Sequence, residues 1–381
     1  MGGGCLLVLR RKLNGKKQRK RVTSLKFDKR KYEYRPDKAD RVIRFIEKFV
    51  LHTQGEYAGS QFKLADWQKD GIIRPAFGWY NKKTGQRKHR FVYVELPKGN
   101  GKSYLLSAIS LYLALADGEH GAEIYCVAGD RQQARIIFDT CRAMVEAHPK
   151  LSAACQVYKN SIVHTKTRSF IKVLSSDVDT KHGYRPYGIS FDELHVQKNR
   201  ELYDALTRGL IKRVNSMCWM ITTAGVKNTF AETIHDYALK IRNKQTSNDS
   251  WLPVIYAADP KADPFKLKTW KSCNPALGEF IDVESFKVLA KEAETNPTAL
   301  NGFKRLHLNQ WTGSTEAWIP VHVWDECNLQ PIKEEDLEGR VCYLGLDKGE
   351  TRDLTAVSLM FPPQEEGEPI HWLCWHFCPL D

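Results

Sequence analysis

The chain has 381 residues, of which 42% are hydrophobic, so it is long enough for two globular domains with ordinary cores. Its formal charge of +13 favours an anionic partner. The ten cysteines form no CxxC pair, which argues against a disulfide framework and predicts a reducing cytoplasm. No segment has the length and apolarity of a membrane span, so we expect no membrane contact.

The positive charge is concentrated at the N-terminus. The first 40 residues contain 14 Lys or Arg against 4 Asp or Glu. We interpret residues 1–37 as a basic tail. Such a tail can simply be solvated, or it can attract a nucleic-acid backbone with salt-sensitive affinity, and both can hold together.

Helical periodicity extends over residues 38–53 and is followed by the pair Trp67-Gln68. An aromatic ring can stack on adenine, and a glutamine amide can pair with the donor and acceptor of its edge. The simpler alternative, which these two residues alone favour, is a buried Trp beside a surface Gln. Residues 80–90, which are rich in Lys and Arg, predict an exposed basic hairpin.

Residues 91–116 predict a strand, a glycine loop and a helix. The loop follows the P-loop pattern G-x-x-x-x-G-K-[ST], except that Leu96 occupies the first glycine position. Lys102 would reach the β- and γ-phosphates of ATP, and the Ser103 hydroxyl would bind Mg²⁺. A chance Gly-Lys-Ser at a strand-to-helix turn is the alternative. The residues that we expect to line the ATP phosphates are Pro97, Lys98, Gly99, Asn100, Gly101, Lys102 and Ser103.

Further elements predict the partners that a P-loop requires. After a strand at 123–128, a helix at 130–147 and two short strands within 160–175, the run YGISFDELH ends a strand in Asp192-Glu193. Asp192 can hold Mg²⁺ through water, and Glu193 can orient and deprotonate the attacking water. The alternative is an acidic helix start after a strand.

The next strand, residues 217–223, ends in Thr222-Thr223. Hydroxyl residues at this place resemble the coupling motif of helicase-like motors, which senses the γ-phosphate; a simple strand-to-turn boundary is the alternative. Strands that alternate with helices predict an α/β fold with a largely parallel sheet. The nucleotide would then bind at the carboxyl edge of that sheet.

The C-terminal third changes character twice. Residues 226–310 predict mostly helices, at 230–242, 282–294 and 297–311. After residue 340 three strands follow, at 341–346, 354–361 and 370–377. RNase H-like nucleases begin with an acid at the end of the first strand of such a meander, so Asp347 would be a ligand of a two-metal site, with Asp353 a second candidate. A surface Asp is the competing explanation for Asp347.

Four possible zinc ligands lie close together near the C-terminus, so a zinc site and a buried strand are the two interpretations of this segment. Cys374 and Cys378 lie close in sequence to His371 and His376. Their spacing fits no common zinc pattern, and the segment is rich in Trp and Phe. We therefore predict a buried strand there.

Taken in order, these motifs resemble the large terminase subunit of tailed bacteriophages, the DNA-packaging motor, over about residues 40–381. The resemblance rests on the following segments: Trp67-Gln68, LPKGNGKS, AGDRQQARIIFD, FDELH, ITTAG, FKRLHLNQW and YLGLDKGETRDLTAV.

The resemblance implies a division of the chain. Residues 38–313 would form a P-loop ATPase of the helicase-like ASCE class, with a helical subdomain at about 226–313. Residues 314–339 would be a linker, and residues 340–381 would begin an RNase H-like nuclease that uses Mg²⁺ or Mn²⁺.

The resemblance also implies partners. The motor would pump double-stranded DNA through the portal protein into the procapsid, with a small terminase subunit as a further partner. It would assemble as a homo-oligomeric ring of about five subunits. Before assembly, the protein could be a monomer in solution. It would act in the host cytoplasm, transiently docked at the portal, and the nuclease would cut the DNA concatemer.

Residue roles are carried over where the motifs match. Glu193 would be the catalytic carboxylate, and Thr222 and Thr223 would form the coupling motif. Lys98 stands in the loop where many relatives have an arginine finger. A finger from a neighbouring subunit is therefore the alternative, with Arg131 and Arg208 as candidates.

Family nucleases need further acids in later strands, and this sequence ends at Asp381. We therefore expect a truncated product with a complete ATPase and an incomplete nuclease.

Three other functions are alternatives to this one. A superfamily 2-like DNA helicase or translocase would need a second RecA-like domain, which residues after 226 do not indicate. A P-loop relic that binds without hydrolysing would not need Glu193. A transposase or resolvase would not explain the ATPase motifs.

Overall fold

The computed structural model describes residues 30–129, 131–174, 183–197, 200–313, 332–349 and 354–377; the side chains of residues 131 and 297 are outside this description. The chain forms two compact units, Met1–Ala317 and Trp318–Asp381.

Strands and helices alternate in the first unit. Its strands are β1 (Tyr32–Tyr34), β2 (Trp79–Asn81), β3 (Phe91–Glu95), β4 (Glu123–Val127), β5 (Cys155–Val157), β6 (Ser161–His164), β7 (Phe170–Leu174), β8 (Gly188–Asp192), β9 (Met217–Thr222) and β10 (Trp251–Ile255). Its helices are α1 (Pro36–Phe49), α2 (Asp66–Gln68), α3 (Arg74–Gly78), α4 (Lys102–Leu115), α5 (Arg131–Ala147), α6 (Pro149–Ala154), α7 (Arg200–Gly209), α8 (Phe230–Arg242), α9 (Leu267–Cys273), α10 (Val283–Thr295) and α11 (Pro297–His307).

Eight of these strands form one sheet in the order β10-β3-β9-β8-β4-β7-β6-β5. The strands from β10 to β7 pair in parallel, whereas β6 pairs antiparallel with both β7 and β5. The prediction of an α/β fold with a mostly parallel sheet is confirmed. Because β3, β9 and β8 are neighbours at its centre, their carboxyl ends meet at one edge of the sheet.

Apolar layers cover both faces of the sheet. On one face, α1, α4 and α5 pack over the side chains of Val92, Trp219 and Ile221. On the other face, α7 and α8 cover Tyr93 and Met220. Side chains that alternate along the strands supply both layers, as the pleat of a strand requires. Helix α4 is buried along almost its whole length, which explains why its sequence is apolar on all sides.

The region after α8 differs from the helical prediction in two places. Strand β10, with Pro253 at its centre, adds to the sheet beside β3 in a region for which only helices were predicted. Proline is tolerated here because β10 is the edge strand. Helix α11 ends at His307 rather than at Trp311, because Asn309 adopts a left-handed conformation with φ 57°.

The expected basic hairpin at residues 80–90 is exposed only at its turn. Arg87, Lys88 and His89 are buried. The guanidinium of Arg87 lies 2.8 Å from a carboxylate oxygen of Asp117, and both side chains are at most 5% exposed. The prediction was wrong because a partner distant in sequence compensates the buried charge.

The second unit contains three antiparallel strands, β11 (Tyr343–Asp347), β12 (Thr355–Phe361) and β13 (His371–Phe377). Asp347 is exposed and pairs with Ala356. Strand β13 is half-buried to exposed, so the expectation of a buried strand there was wrong. Throughout the described ranges, no helix has the length and apolar character needed to span a membrane.

Candidate nucleotide-binding and hydrolysis site

The loop between β3 and α4 has the backbone of a phosphate-binding loop. Gly99 and Gly101 adopt φ values of 88° and 70°, in the left-handed region that glycine tolerates. Of the predicted loop residues, Lys98 and Gly99 are exposed, whereas Pro97 and Asn100 are buried. The first turn of α4 follows directly, so its free N–H groups open toward the loop.

Lys102 lies in the first turn of α4 and is buried. Its ammonium donates to the carbonyl oxygens of Leu96 and Pro97, both at 3.1 Å, and to the Thr223 hydroxyl at 2.7 Å. Burial lowers the pKa of Lys102, and the nearby carboxylates of Glu193 and Asp192 oppose that shift. The three contacts use the three hydrogens of an ammonium group, which places a cation inside the loop, where an anion can replace the carbonyl partners.

Asp192 ends β8 directly opposite the start of α4. Its Oδ2 accepts a hydrogen bond of 2.9 Å from the Ser103 hydroxyl. Its other oxygen, Oδ1, is buried and has no hydrogen-bond partner among the described residues. Burial, and then the charge of Glu193, raise the pKa of Asp192 to about 6.

An uncompensated carboxylate oxygen beside a hydroxyl fits a divalent cation. Mg²⁺ takes oxygen ligands and usually binds through one or two carboxylates together with substrate phosphates. Asp192 and Ser103 supply such oxygens, and a cation there would remove the cost of the unpaired Oδ1. The predicted magnesium ligands are therefore suited to their role.

Glu193 follows Asp192 in a left-handed conformation, with φ 47° and ψ 55°. This backbone turn directs it away from the strand. Its Oε2 is buried and lies 3.2 Å from Nδ1 of His195. Burial raises the pKa of Glu193, but His195 and Lys102 outweigh that effect, and the net shift is downward. An ionised carboxylate that keeps an unsatisfied oxygen can accept a proton from water.

Thr222 and Thr223 lie at the end of β9 and are both buried. The Thr223 hydroxyl accepts from Lys102, as described above. The Thr222 hydroxyl accepts from the backbone N–H of His195 at 3.0 Å. The two threonines thus contact the P-loop lysine on one side and the segment after Glu193 on the other.

The predicted adenine-side pair lies beside the loop. Gln68 is buried, and its Nε2 is 3.9 Å from the point where a Cβ on Gly101 would be. Its Oε1 accepts from the backbone N–H of Ala65 at 3.0 Å. Trp67 is half-buried and contacts the ring of Tyr256 edge-on.

The structure brings in Asn274 and Asn309, which sequence patterns did not single out, and gives Asn100 a contact that they did not predict. Asn100 donates to Asn274 at 2.9 Å and accepts from the backbone N–H of Ala276 at 3.2 Å. Asn309 accepts from the N–H of Ala224 at 2.7 Å and donates to the Tyr256 carbonyl at 2.7 Å. The only sequence signals were asparagines placed next to helix ends, which are common in turns as well.

The arginine candidates are not joined to this cluster by any described contact. Arg208 lies on α7, is 78% exposed and is 3.8 Å from Asp204. The backbone of Arg131 begins α5, and its side chain lies outside the described residues. Both therefore remain candidates for an arginine finger.

The second unit contains the candidates for the nuclease and zinc sites. Asp347 ends β11, whereas Asp353 and Cys378 lie outside the described residues. Cys374 Sγ is 3.7 Å from His376 Nε2. Within the part of the chain that the structure describes, no group of three or more His, Cys, Asp or Glu could hold a metal ion.

Comparisons with known proteins point to one family. The family model described as terminase large subunit, ATPase domain, matches residues 66–238, and the model described as terminase large subunit, endonuclease domain, matches residues 245–379. A nuclease domain is therefore present. We expected only the beginning of one, at residues 340–381, whereas the match already begins at residue 245. Within this match, β10 and helices α9 to α11 belong to the first compact unit.

Individual relatives are similar over most of this chain. The chain is 28% identical over 326 residues to "Terminase, large subunit" of Enterobacteria phage HK97, covering 84% of this chain and 62% of the relative. It is 22% identical over 343 residues to "Terminase large subunit" of Lactococcus phage p2, covering 87% and 61%. The crystal structure of the HK97 bacteriophage large terminase has a TM-score of 0.62 at 25% identity and covers 90% of this chain and 68% of that chain. The chain thus spans about three fifths of the length of these curated relatives.

Proposed function

The chain belongs to the terminase large-subunit family, and we propose that it hydrolyses ATP to move double-stranded DNA into a viral procapsid. The observation that carries the proposal is the group formed at adjoining strand ends. Lys102, Ser103, Asp192 and Glu193 combine a cation, a hydroxyl and two carboxylates beside a loop built for phosphate. The alternative of a superfamily 2-like helicase is not favoured, because both family models are those of terminases.

The chain's own residues divide the work of hydrolysis. The glycine loop and Lys102 bind the β- and γ-phosphates, with Lys102 exchanging its carbonyl partners for phosphate oxygens. Glu193 orients a water molecule and takes its proton. Asp192 and Ser103 would hold Mg²⁺, which neutralises charge that develops on the phosphates. Gln68 and Trp67 are the residues that we propose to contact the base, and the position of Gln68 beside Gly101 supports this role.

A glutamate-to-glutamine change separates binding from hydrolysis. Glu193→Gln keeps the side-chain shape but removes the proton acceptor, so we expect phosphate release to fall by about 100-fold or more. Titration with a fluorescent ATP analogue should give a Kd within a few-fold of the wild type. If both proteins release phosphate at the same rate, Glu193 is not the catalytic carboxylate.

The partners are part of the same proposal. We expect the chain to form a homo-oligomeric ring of five subunits. The ring would dock at the portal protein of the procapsid in the host cytoplasm, and a small terminase subunit would be a further partner. If a neighbour supplies the arginine finger, hydrolysis should rise when the ring forms on portal–procapsid complexes. A monomer that already shows the full rate contradicts the trans finger.

We also propose that Asp347 is a metal ligand of a nuclease that uses Mg²⁺ or Mn²⁺. Its exposed position at the end of β11 and the endonuclease match support this role. Purified protein should nick supercoiled plasmid in a metal-dependent way, and Asp347→Asn should abolish nicking. Equal nicking by both proteins would remove Asp347 from the site.

A further inference from the structure

His195 lies between the two functional groups of the site and can donate to either. Its Nδ1 is 3.2 Å from the Thr222 hydroxyl and also 3.2 Å from Glu193 Oε2. These two acceptors belong to different strand ends, β9 and β8. One side chain therefore faces both the catalytic carboxylate and the residue that the resemblance assigns to coupling.

The hydrogen-bond inventory of Thr222 fixes the role of this nitrogen. The single hydroxyl proton of Thr222 is donated to the Thr223 carbonyl at 2.9 Å. Its oxygen already accepts the backbone N–H of His195 at 3.0 Å. Since a hydroxyl has one donor and two acceptor positions, and since the carboxylate that Nδ1 also faces can only accept when ionised, we assign Nδ1 of His195 as the donor. Nδ1 therefore carries a hydrogen.

That hydrogen has two acceptors at equal distance. It bonds Thr222, while Oε2 of Glu193 is buried and, although it lies 3.2 Å from Nδ1, makes no well-aligned hydrogen bond in the described part of the chain. A buried carboxylate oxygen with no donor is costly, so a small rotation of the ring toward Glu193 would be favourable. Leaving Thr222 costs less, because Thr222 keeps the backbone N–H of His195.

Packing holds His195 at a position from which a small rotation of its ring moves Nδ1–H from Thr222 to Glu193. A Cβ added to Gly225 would come within 2.9 Å of His195 Cβ and 3.0 Å of the Trp311 ring. His195 also lies in a 3₁₀ turn, Leu194–Val196, that follows the left-handed Glu193. The backbone of His195 is thus closely packed, and the imidazole is the part of the residue that we expect to turn.

We propose that His195 is a positioning residue for hydrolysis whose Nδ1–H alternates between Thr222 and Glu193. When Nδ1–H donates to Glu193, the carboxylate is held in place for the attacking water. When Nδ1–H donates to Thr222, Glu193 is released and the end of β9 is held instead. The inference rests on the proposed ATPase function and adds a physical connection between Glu193 and the coupling motif.

Two amide variants distinguish a donor from a packing role. In His195→Asn the amide nitrogen takes the place of Nδ1 and keeps the donor, whereas in His195→Gln the amide is displaced by one methylene. We expect His195→Ala and His195→Gln to lower kcat for ATP about tenfold or more with KM changed less than about threefold. His195→Asn should stay within about threefold of the wild type in both constants.

A double-mutant cycle tests the sharing of the donor. Thr222→Val keeps the shape of Thr222 and removes its acceptor, so its effect on kcat should be much smaller in the His195→Ala background than in the wild type. Equal effects in both backgrounds, or an Asn variant as slow as the Ala variant, overturn the proposal. If the wild type itself releases no phosphate, the proposed function fails; if it does and His195→Ala matches it, only this inference fails.

Discussion

At the scale of single residues, the P-loop glycines are required by backbone conformation more than by space. A Cβ on Gly101 would meet the Phe280 ring at 3.6 Å, which is an ordinary contact. Its φ of 70°, however, lies where other residues are strained. Gly121 provides a match elsewhere in the same unit, with φ 59° and nothing within 4 Å of an added Cβ.

Alanine at these two glycines should separate stability from function. Gly101→Ala and Gly121→Ala should each lower the free energy of unfolding by about 1–2 kcal/mol, because both force alanine into the left-handed region. Only Gly101→Ala should weaken ATP binding, since relief of strain there moves the loop N–H groups. Denaturant titrations and nucleotide titrations measure the two effects. Equal ATP affinity in both variants would show that the loop conformation does not matter for binding.

Single residues also show how far the sequence could be interpreted. Lys102, Ser103, Asp192 and Glu193 could be assigned because their motifs place charged and hydroxyl groups at the ends of apolar runs. His195 belongs to the same FDELH motif but has no role until Thr222, 27 residues later, lies beside it. A role that depends on a distant partner is not encoded in local pattern.

At the scale of elements, the P-loop is braced by the loop between α9 and α10. The Asn100 side chain bonds Asn274 and the backbone of Ala276, and Asn274 also donates to the His307 carbonyl at 2.8 Å. The P-loop backbone joins the same region, with the N–H of Lys98 donating to the Leu306 carbonyl at 2.7 Å. Helices α9 to α11 therefore support the nucleotide loop from outside the sheet.

Removing the brace should affect nucleotide binding beyond its effect on stability. Asn274→Ala leaves the buried amide of Asn100 with one partner fewer, which should cost about 1–3 kcal/mol of stability and raise the KM for ATP. Asn296→Ala is the control, because Asn296 caps α11 through the N–H of Thr298 at 3.1 Å and its loss costs about 1 kcal/mol. Thermal melts and ATPase titrations of both variants measure this. A normal KM in Asn274→Ala would show that the brace is only structural.

Element prediction succeeded where periodicity was strong and failed where context overrode it. Helix α5 and strands β3, β8 and β9 follow from apolar patterns of the right period. Strand β10 was missed because its central proline is acceptable only at a sheet edge, and an edge is a property of the assembled sheet. Burial of Arg87 was missed because Asp117 compensates it.

At the scale of the whole molecule, the distribution of charge separates the N-terminus from the rest. Most of the net charge of +13 lies in the first 40 residues. The structure describes the chain from residue 30, and β1 begins at Tyr32. A deletion of residues 1–29 therefore removes most of the basic tail and leaves β1 and its pairing with β2 intact.

The deletion tests whether the tail binds DNA. Each phosphate neutralised contributes about 0.9 to the slope of log Kd against log salt, so removal of residues 1–29 should reduce that slope by several units. The control keeps the tail length but replaces its Lys and Arg by Gln, and it should behave like the deletion. Fluorescence anisotropy on a labelled duplex over a range of salt concentrations gives the slopes. An unchanged slope would mean that DNA is held by other residues.

The central claim is that the carboxyl edge of β3, β8 and β9 binds ATP with Mg²⁺. A crystal structure of the protein with Mg²⁺ and a non-hydrolysable ATP analogue tests it directly. We predict the β- and γ-phosphates within the loop 97–103, Lys102 on phosphate oxygens instead of the Leu96 and Pro97 carbonyls, and the metal on Ser103 beside Asp192. A nucleotide bound elsewhere, or Lys102 still on both carbonyls with the analogue bound, would contradict the account.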